Sequence, residues 1–172
     1  GAIPTLLSLE PHERECTRIA YIPFEPLRKN LRAILDVRES ALVLVPDLEW
    51  CCLKTGAGTP PVRVAEGWFS VFHGVSAREV SDGKYATVYS AGFVVHDYER
   101  PHIVRYRSAT PVMVPEGIDE THGIVSNVVF PTAICELGNR AYEIYYGMAD
   151  ARIGRAHLQL AAPSVNAQES AA

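Results

Sequence analysis

The pattern of apolar and polar positions changes character near residue 40. Upstream, apolar residues recur at Leu27, Leu31, Ile34 and Leu35 within FEPLRKNLRAILDVR, Phe24 to Arg38. That spacing puts them on one face of a helix and predicts a short one starting after Pro26. Arg28, Lys29, Arg32 and Arg38 then fall on its solvated side. From about Ser40 to Leu160 the pattern becomes short runs of β-branched and aromatic residues punctuated by glycine and proline, which predicts strands. They are expected at Ala41 to Val45, Gly67 to Val75, Tyr85 to His96, Ile103 to Arg107, Ile124 to Phe130, Thr132 to Glu136, Ala141 to Gly147 and Arg152 to Leu160. Ser81-Asp82-Gly83-Lys84 and Gly138-Asn139 carry turn chemistry, and residues 109–123, with two prolines and two glycines, read as a long loop. The expected organisation is a partly helical segment over 1–40, an all-β domain over 41–162, and a small polar tail over 163–172 that frays.

Two stretches repeat. SVFHGVSA (Ser70–Ala77) and EIYYGMAD (Glu143–Asp150) each run strand, aromatic, second ring residue, glycine. Each is followed by another strand after a short turn. Strand groups repeated with this punctuation suggest propeller blades.

Composition narrows the function classes. A chain of 172 residues supports one domain with a sizeable core. A formal charge of −4 without a basic stripe argues against a nucleic-acid partner. No apolar run is long enough to span a bilayer, so no membrane partner is expected. The opening GAIPTLLSLEPHERE has no basic leader, so the expected location is the cytoplasm, with Cys16, Cys51, Cys52 and Cys135 reduced. Their spacing matches no zinc pattern. G-x-G-x-x-G, the P-loop, H-E-x-x-H and G-x-S-x-G are all missing, so neither a metal nor an organic cofactor is expected.

The candidate chemistry centres on KTGAGTPPVRVAEGWFSVFHGV, Lys54 to Val75. Strand alternation puts Phe69, Val71, His73 and Val75 on one face. A histidine there is ordinarily a satisfied core residue, but Gly74 beside it would let a ligand or another backbone approach. Lys54, across the GAGTPP turn, is ordinarily a solvated lysine. Converging with His73 it would form an anion site, with the lysine as point charge and the histidine as donor. Asp150 closes IYYGMAD and is either a turn former or a carboxylate for sugar hydroxyls, with a tyrosine ring stacking on the sugar. Asn127, inside IVSNVVFP, is either part of a polar network or a ligand contact. Glu116, Asp119 and Glu120 read first as a solvated loop and second as acids for sugar chemistry.

Those residues carry a family resemblance. GAGTPPVRVAEGWFSVFHGV resembles the G-x-G-x-P-P…GW-x-x-x-[YF]-H-G-V motif of the β-mannoside phosphorylases of glycoside hydrolase family 130. YSAGFVVHD, RPHIVRYRSATPVMVPE, GIVSNVVFPTAI and YEIYYGMADARIGRAHL follow in the family's order, from about Val43 to Leu158. The resemblance implies a five-bladed β-propeller, here a partial one of about two to three blades. It implies phosphorolysis of β-mannoside oligosaccharides with inversion, giving α-mannose 1-phosphate, with inorganic phosphate as co-substrate and attacking group. Lys54 and His73 fall on positions resembling phosphate binders, and Asp150 on one resembling a sugar-binding carboxylate; Tyr146 and Asn127 are the further candidate substrate contacts. The family's general-acid motif, resembling E-D-P-R, has no counterpart in this chain, so the expectation is a fragment, a truncated homologue, or one part of an assembly, such as a homo-oligomer, that completes the propeller. A catalytically incomplete sugar-binding or assembly module, or a β-mannosidase-like hydrolase, are the alternatives.

Overall fold

The structure is a computed structural model that describes residues 8–37 and 39–161. Arg38, the opening residues 1–7 and the proposed tail 163–172 lie outside the described residues. The dominant feature is a long antiparallel hairpin of β5 (Gly67–Ser81) and β6 (Lys84–His96), in register from Trp68 opposite His96 to Glu79 opposite Tyr85, with a shift before Ser81 meets Lys84. The expected turn closes it: Gly83 has φ 67°, and its N–H donates to Glu79 Oε1 at 2.9 Å. β3 (Lys54–Gly56) and β4 (Val62–Val64) pair with the free side of β5, and β7 (Val104–Arg107) pairs with β6. A second sheet has the order β10 (Arg152–Gln159), β9 (Ala141–Met148), β8 (Val129–Gly138), joined by a hairpin at Gly138, Asn139 and Arg140, all at positive φ. β1 (Thr17–Ile19) and β2 (Ala41–Leu44) form a third, two-stranded sheet. The protein is mostly β, with few short helices and open sheets.

The main core lies between the first two sheets. Phe69, Val71, Ala91 and Val95 meet Tyr142 and Ile144, all buried. The Phe69 and Tyr142 rings stack with centroids 6.2 Å apart. The valine, isoleucine and phenylalanine side chains each contribute on the order of 1.5–3 kcal/mol of burial. The opposite face of the first sheet buries Phe72 and Val94 against Leu44, with Trp50 packed alongside. The first part of β5, as far as Val75, is thus covered on both faces, while Arg78 to Ser81 are exposed.

Three sequence expectations are amended. The short helix expected to start after Pro26 begins earlier and stops sooner, as α1 (Phe24–Lys29), and is followed by a 3-10 turn (Leu31–Asp36). Asn30 breaks it with φ −152°, its side chain accepting the Arg32 N–H at 3.0 Å, a local alternative that competes with helix. The stripe on it does not reach the core: Leu31, Ile34 and Leu35 are all exposed. Pro131 does not separate two strands. It lies inside β8, an edge strand, where its missing N–H is tolerated and the register shifts at Pro131/Ala133. Residues 124–127, expected as strand, instead form bends, and Val128 makes only an isolated bridge to Tyr89, whose N–H donates to the Asn127 carbonyl at 2.9 Å.

Three short strands were not anticipated, β1, β3 and β4, all too short to show periodicity. The 109–123 loop also holds a single helical turn, α2 (Ile118–Thr121). Among the described residues no helix is long and apolar enough to cross a membrane, and no group of three His, Cys, Asp or Glu side chains is placed to hold a metal ion.

Candidate functional site

β3 pairs with β5 so that Gly56 opposes His73 and Lys54 opposes Val75. Residues two apart on paired strands share a face, so Lys54 and His73 lie on the same side of the sheet. His73 is 5% exposed, with its ring centroid 4.4 Å from that of Phe130 on β8 and 6.2 Å from that of Tyr89 on β6. Gly56 makes this possible. A Cβ at position 56 would lie 2.2 Å from His73 Cε1, so only glycine lets the ring lie across the neighbouring strand.

The histidine's protonation follows from its partners. Nδ1 is 2.7 Å from the Ala57 carbonyl oxygen, which can only accept, so Nδ1 carries a proton and donates it. Burial pushes the imidazole below its ordinary range, the Ala57 carbonyl counters this, the Lys54 charge lowers it further and Glu15 raises it, with a downward net result. The ring is therefore neutral near pH 7, with Nε2 as an acceptor. This amends the expectation of a ready donor: His73 offers a second N–H only once protonated.

Lys54 Nζ lies 2.6 Å from Glu15 Oε2. The partner is fixed by backbone, since Thr55 N–H donates to the Glu15 carbonyl at 2.9 Å and Thr17 N–H donates to Thr55 Oγ1 at 3.1 Å. Gly74 has a different role from the one expected. A Cβ there would meet Cys51 Cβ at 2.3 Å and the Trp50 ring at 2.5 Å. Its smallness accommodates the Trp50 indole, not a ligand.

The sugar-side candidates sit on the second sheet and its loops. Tyr146 is 9% exposed and its hydroxyl donates to Glu120 Oε1 at 2.8 Å. Burial, reinforced by Glu120, pushes this phenol up to about 12. Glu120 Oε2 accepts the N–H groups of Glu116 and Gly117 at 2.8 and 2.9 Å. Burial pushes the Glu120 carboxyl up, but these hydrogen bonds outweigh it and hold it below its ordinary range. Glu120 is thus an ionised loop clamp, poorly suited to donate a proton. Asp150 has φ 52° and follows Ala149 at φ 47° in the β9–β10 turn, closed by Ala151 N–H to the Met148 carbonyl at 3.0 Å. Its exposed carboxylate makes no hydrogen bond or ion pair among the described residues. Asn127, with φ 62°, offers its carbonyl to Tyr89, which places its backbone beside the ring that neighbours His73. The turn carrying Asp150 is tied to the same loop through Val125 N–H to the Ala149 carbonyl at 3.2 Å.

The structure therefore places Lys54 and His73 on one face of a sheet, brings the Asn127 backbone near His73 through Tyr89, and sets Tyr146 and Asp150 on a separate sheet linked by the 123–128 loop. Sequence reasoning missed Glu15, Tyr89 and Phe130. Tyr89 and Phe130 were recoverable in part, because each lies in a predicted strand. Glu15 carried no local signal, since its place depends on a bridge between segments 39 positions apart.

The scaffold thus presents a lysine and a buried, neutral histidine on one face of an open sheet, beside a polar loop system. The chain belongs to glycoside hydrolase family 130: the family model described as β-1,4-mannooligosaccharide phosphorylase matches residues 32–162. It is similar to a β-1,4-mannooligosaccharide phosphorylase of Ruminococcus albus, 36% identical over 115 residues, covering 66% of this chain and 33% of the relative. It is also similar to a β-1,2-mannobiose phosphorylase of a Thermoanaerobacter species, 34% identical over 110 residues, covering 64% of this chain and 33% of the relative. Among solved structures, the β-1,2-mannobiose phosphorylase of Listeria innocua in complex with β-1,2-mannobiose superposes with a TM-score of 0.59 at 25% identity, covering 72% of this chain and 33% of that one. The chain spans about a third of the length of the curated relatives it matches.

Proposed function

We propose that this chain forms the phosphate-holding part of a β-mannoside phosphorylase. In this reading its two larger sheets are blades of a five-bladed propeller, closed by a second copy or by further chain. Inorganic phosphate attacks the anomeric carbon from the face opposite the leaving sugar, giving α-mannose 1-phosphate by inversion. Lys54 supplies a point charge to the phosphate. His73 accepts from a protonated phosphate oxygen, or donates from Nε2 after taking up a proton. Asp150, Tyr146 and Asn127 stand on the β-mannoside side, with the leaving-group proton supplied by an acid outside this chain. Phosphate is the only co-substrate, with no metal or organic cofactor, and the setting is cytoplasmic. The observation that carries the reading is the placement of Lys54 and His73 on one face, with the His73 ring seated over Gly56.

A second reading is a sugar-binding or assembly module without turnover, supported by the ionised state of Glu120, which is poorly suited to donate a proton. Hydrolysis driven by Glu120 is disfavoured, because that carboxylate is saturated by two backbone N–H groups and the Tyr146 hydroxyl. The deciding assay follows release of mannose 1-phosphate from β-mannosides with and without phosphate, in the parent chain and in His73→Ala. Release that needs phosphate and disappears in the variant is the expected result. Calorimetric sugar binding without any release would sink phosphorolysis and leave the module. Turnover in water alone would sink both.

A further inference from the structure

We propose that Glu15 occupies the anion seat at Lys54 and sets the apparent phosphate affinity of the site as a built-in competitor. The inference rests on the phosphate reading above and adds a residue from the N-terminal segment to it. Glu15 presents an oxyanion, its carboxylate, 2.6 Å from Lys54 Nζ. His73 feels both charges, lowered by Lys54 and raised by Glu15, so all three groups share one neighbourhood.

The carboxylate is delivered by backbone, not by charge. Glu15 and Lys54 form an isolated parallel bridge, Thr55 N–H donates to the Glu15 carbonyl at 2.9 Å, and Thr17 N–H donates to Thr55 Oγ1 at 3.1 Å. Arg14, the preceding residue, adds guanidinium bonds to the carbonyls of Pro46 and Cys52. The backbone of residues 14–17 is thus fixed, while the Glu15 side chain is 73% exposed and free to swing away.

An exposed ion pair of this kind is weak. A phosphate dianion brings more charge and a larger set of acceptors to Lys54, and its arrival also favours protonation of His73. Phosphate can therefore displace the carboxylate, at the cost of the pair. A chloride ion or a small carboxylate gains no such advantage over Glu15. The contact thus acts as a threshold that favours polyvalent oxyanions.

The test titrates inorganic phosphate into the 172-residue chain by calorimetry or phosphorus NMR. The variants are Glu15→Gln, Lys54→Met, the double variant, and Glu39→Gln, which removes the same charge from an exposed site in the same segment. The expected result is tighter binding in Glu15→Gln by about two- to fivefold, the range of a surface pair. Glu39→Gln should match the parent, and binding should be lost whenever Lys54 is replaced. Equal affinity in parent and Glu15→Gln, with Lys54→Met still impaired, would overturn the competitor and leave the phosphate site standing. Equal tightening in Glu39→Gln would reduce the effect to net charge and also overturn it. No phosphate binding by any variant would remove the site itself, and the competitor with it.

Discussion

His73 and Tyr146 hold matching positions in two sheets, and the sheets solve the same packing problem with different chemistry. Each ring belongs to the sheet's aromatic-Gly strand and lies over a glycine directly across the ladder, Gly56 for His73 and Gly154 for Tyr146. A Cβ at either glycine would strike the ring, at 2.2 Å and 2.5 Å respectively. The polar atoms end differently. His73 spends Nδ1 on Ala57 and keeps Nε2. Tyr146 commits its one proton to Glu120. The same backbone device thus serves a ring with a spare hydrogen-bonding atom in one sheet and a structural clamp in the other. A repeated motif gives repeated geometry and leaves function to the atom at the ring's far end.

The sharpest way to break the comparison is at the glycines that follow the two rings. Gly74 is pressed by Trp50 and Cys51, whereas a Cβ at Gly147 would only reach Phe130 Cβ at an ordinary 3.7 Å. Gly74→Ala should destabilise by about 1–3 kcal/mol through overpacking. Gly147→Ala should stay within about 0.5 kcal/mol. Urea unfolding of both variants measures the gap, and equal costs would show that Trp50 yields easily.

How much of this was legible beforehand follows from the same residues. The aromatic-Gly repeats and the turns at Gly83 and Gly138 were readable because period two and turn chemistry are local. The resemblance marked Lys54 and His73 as a pair. The role of Gly74 was misread, because its reason is an indole arriving from Trp50, outside the strand. Glu15 was invisible for the same cause, since a bridge to Lys54 leaves no trace in its own neighbours. The N-terminal helix was overextended because its stripe fits helical spacing, while Asn30 supplies a competing local bond.

Next in size is the Tyr146 clamp. Tyr146→Phe removes the 2.8 Å bond to Glu120 and leaves a half-buried carboxylate with two donors instead of three. A loss of about 0.5–1.5 kcal/mol is expected. The paired measurement is phosphate binding, which should persist in Tyr146→Phe and fall in His73→Ala. A variant of Tyr146 that abolished phosphate binding would erase the functional distinction between the sheets.

The two rings should also fail at opposite ends of the pH scale. Burial lowers His73, and lowers His96 as well, so the unfolded chain takes up these protons first on acidification. Their contribution is level above about pH 6.5 and is lost as pH falls through the lower folded values. Tyr146 is shifted the other way, to about 12, so its contribution is present below the unfolded phenol range and fades as pH rises from about 10 toward 12. Thermal melts across pH should show a shallower acid limb in His73→Gln with an unchanged alkaline limb, and the reverse in Tyr146→Phe. Identical limbs in parent and variants would mean that neither ring carries the linkage.

The smallest stability effect belongs to the residue with the largest functional one. The Lys54–Glu15 pair joins side chains 37% and 73% exposed, where water screens the charges and ordering two flexible side chains offsets the attraction. Lys54→Met keeps most of the aliphatic stem and should change stability by no more than about 0.5 kcal/mol in either direction. Phosphate binding should nevertheless collapse, because the neutral His73 ring alone presents no positive charge to a dianion. Stability and binding measured on the same preparation separate the two effects. A large loss of stability would make Lys54 a structural residue and move the explanation back to packing, whereas intact stability with lost binding leaves the charge itself as the only change that matters.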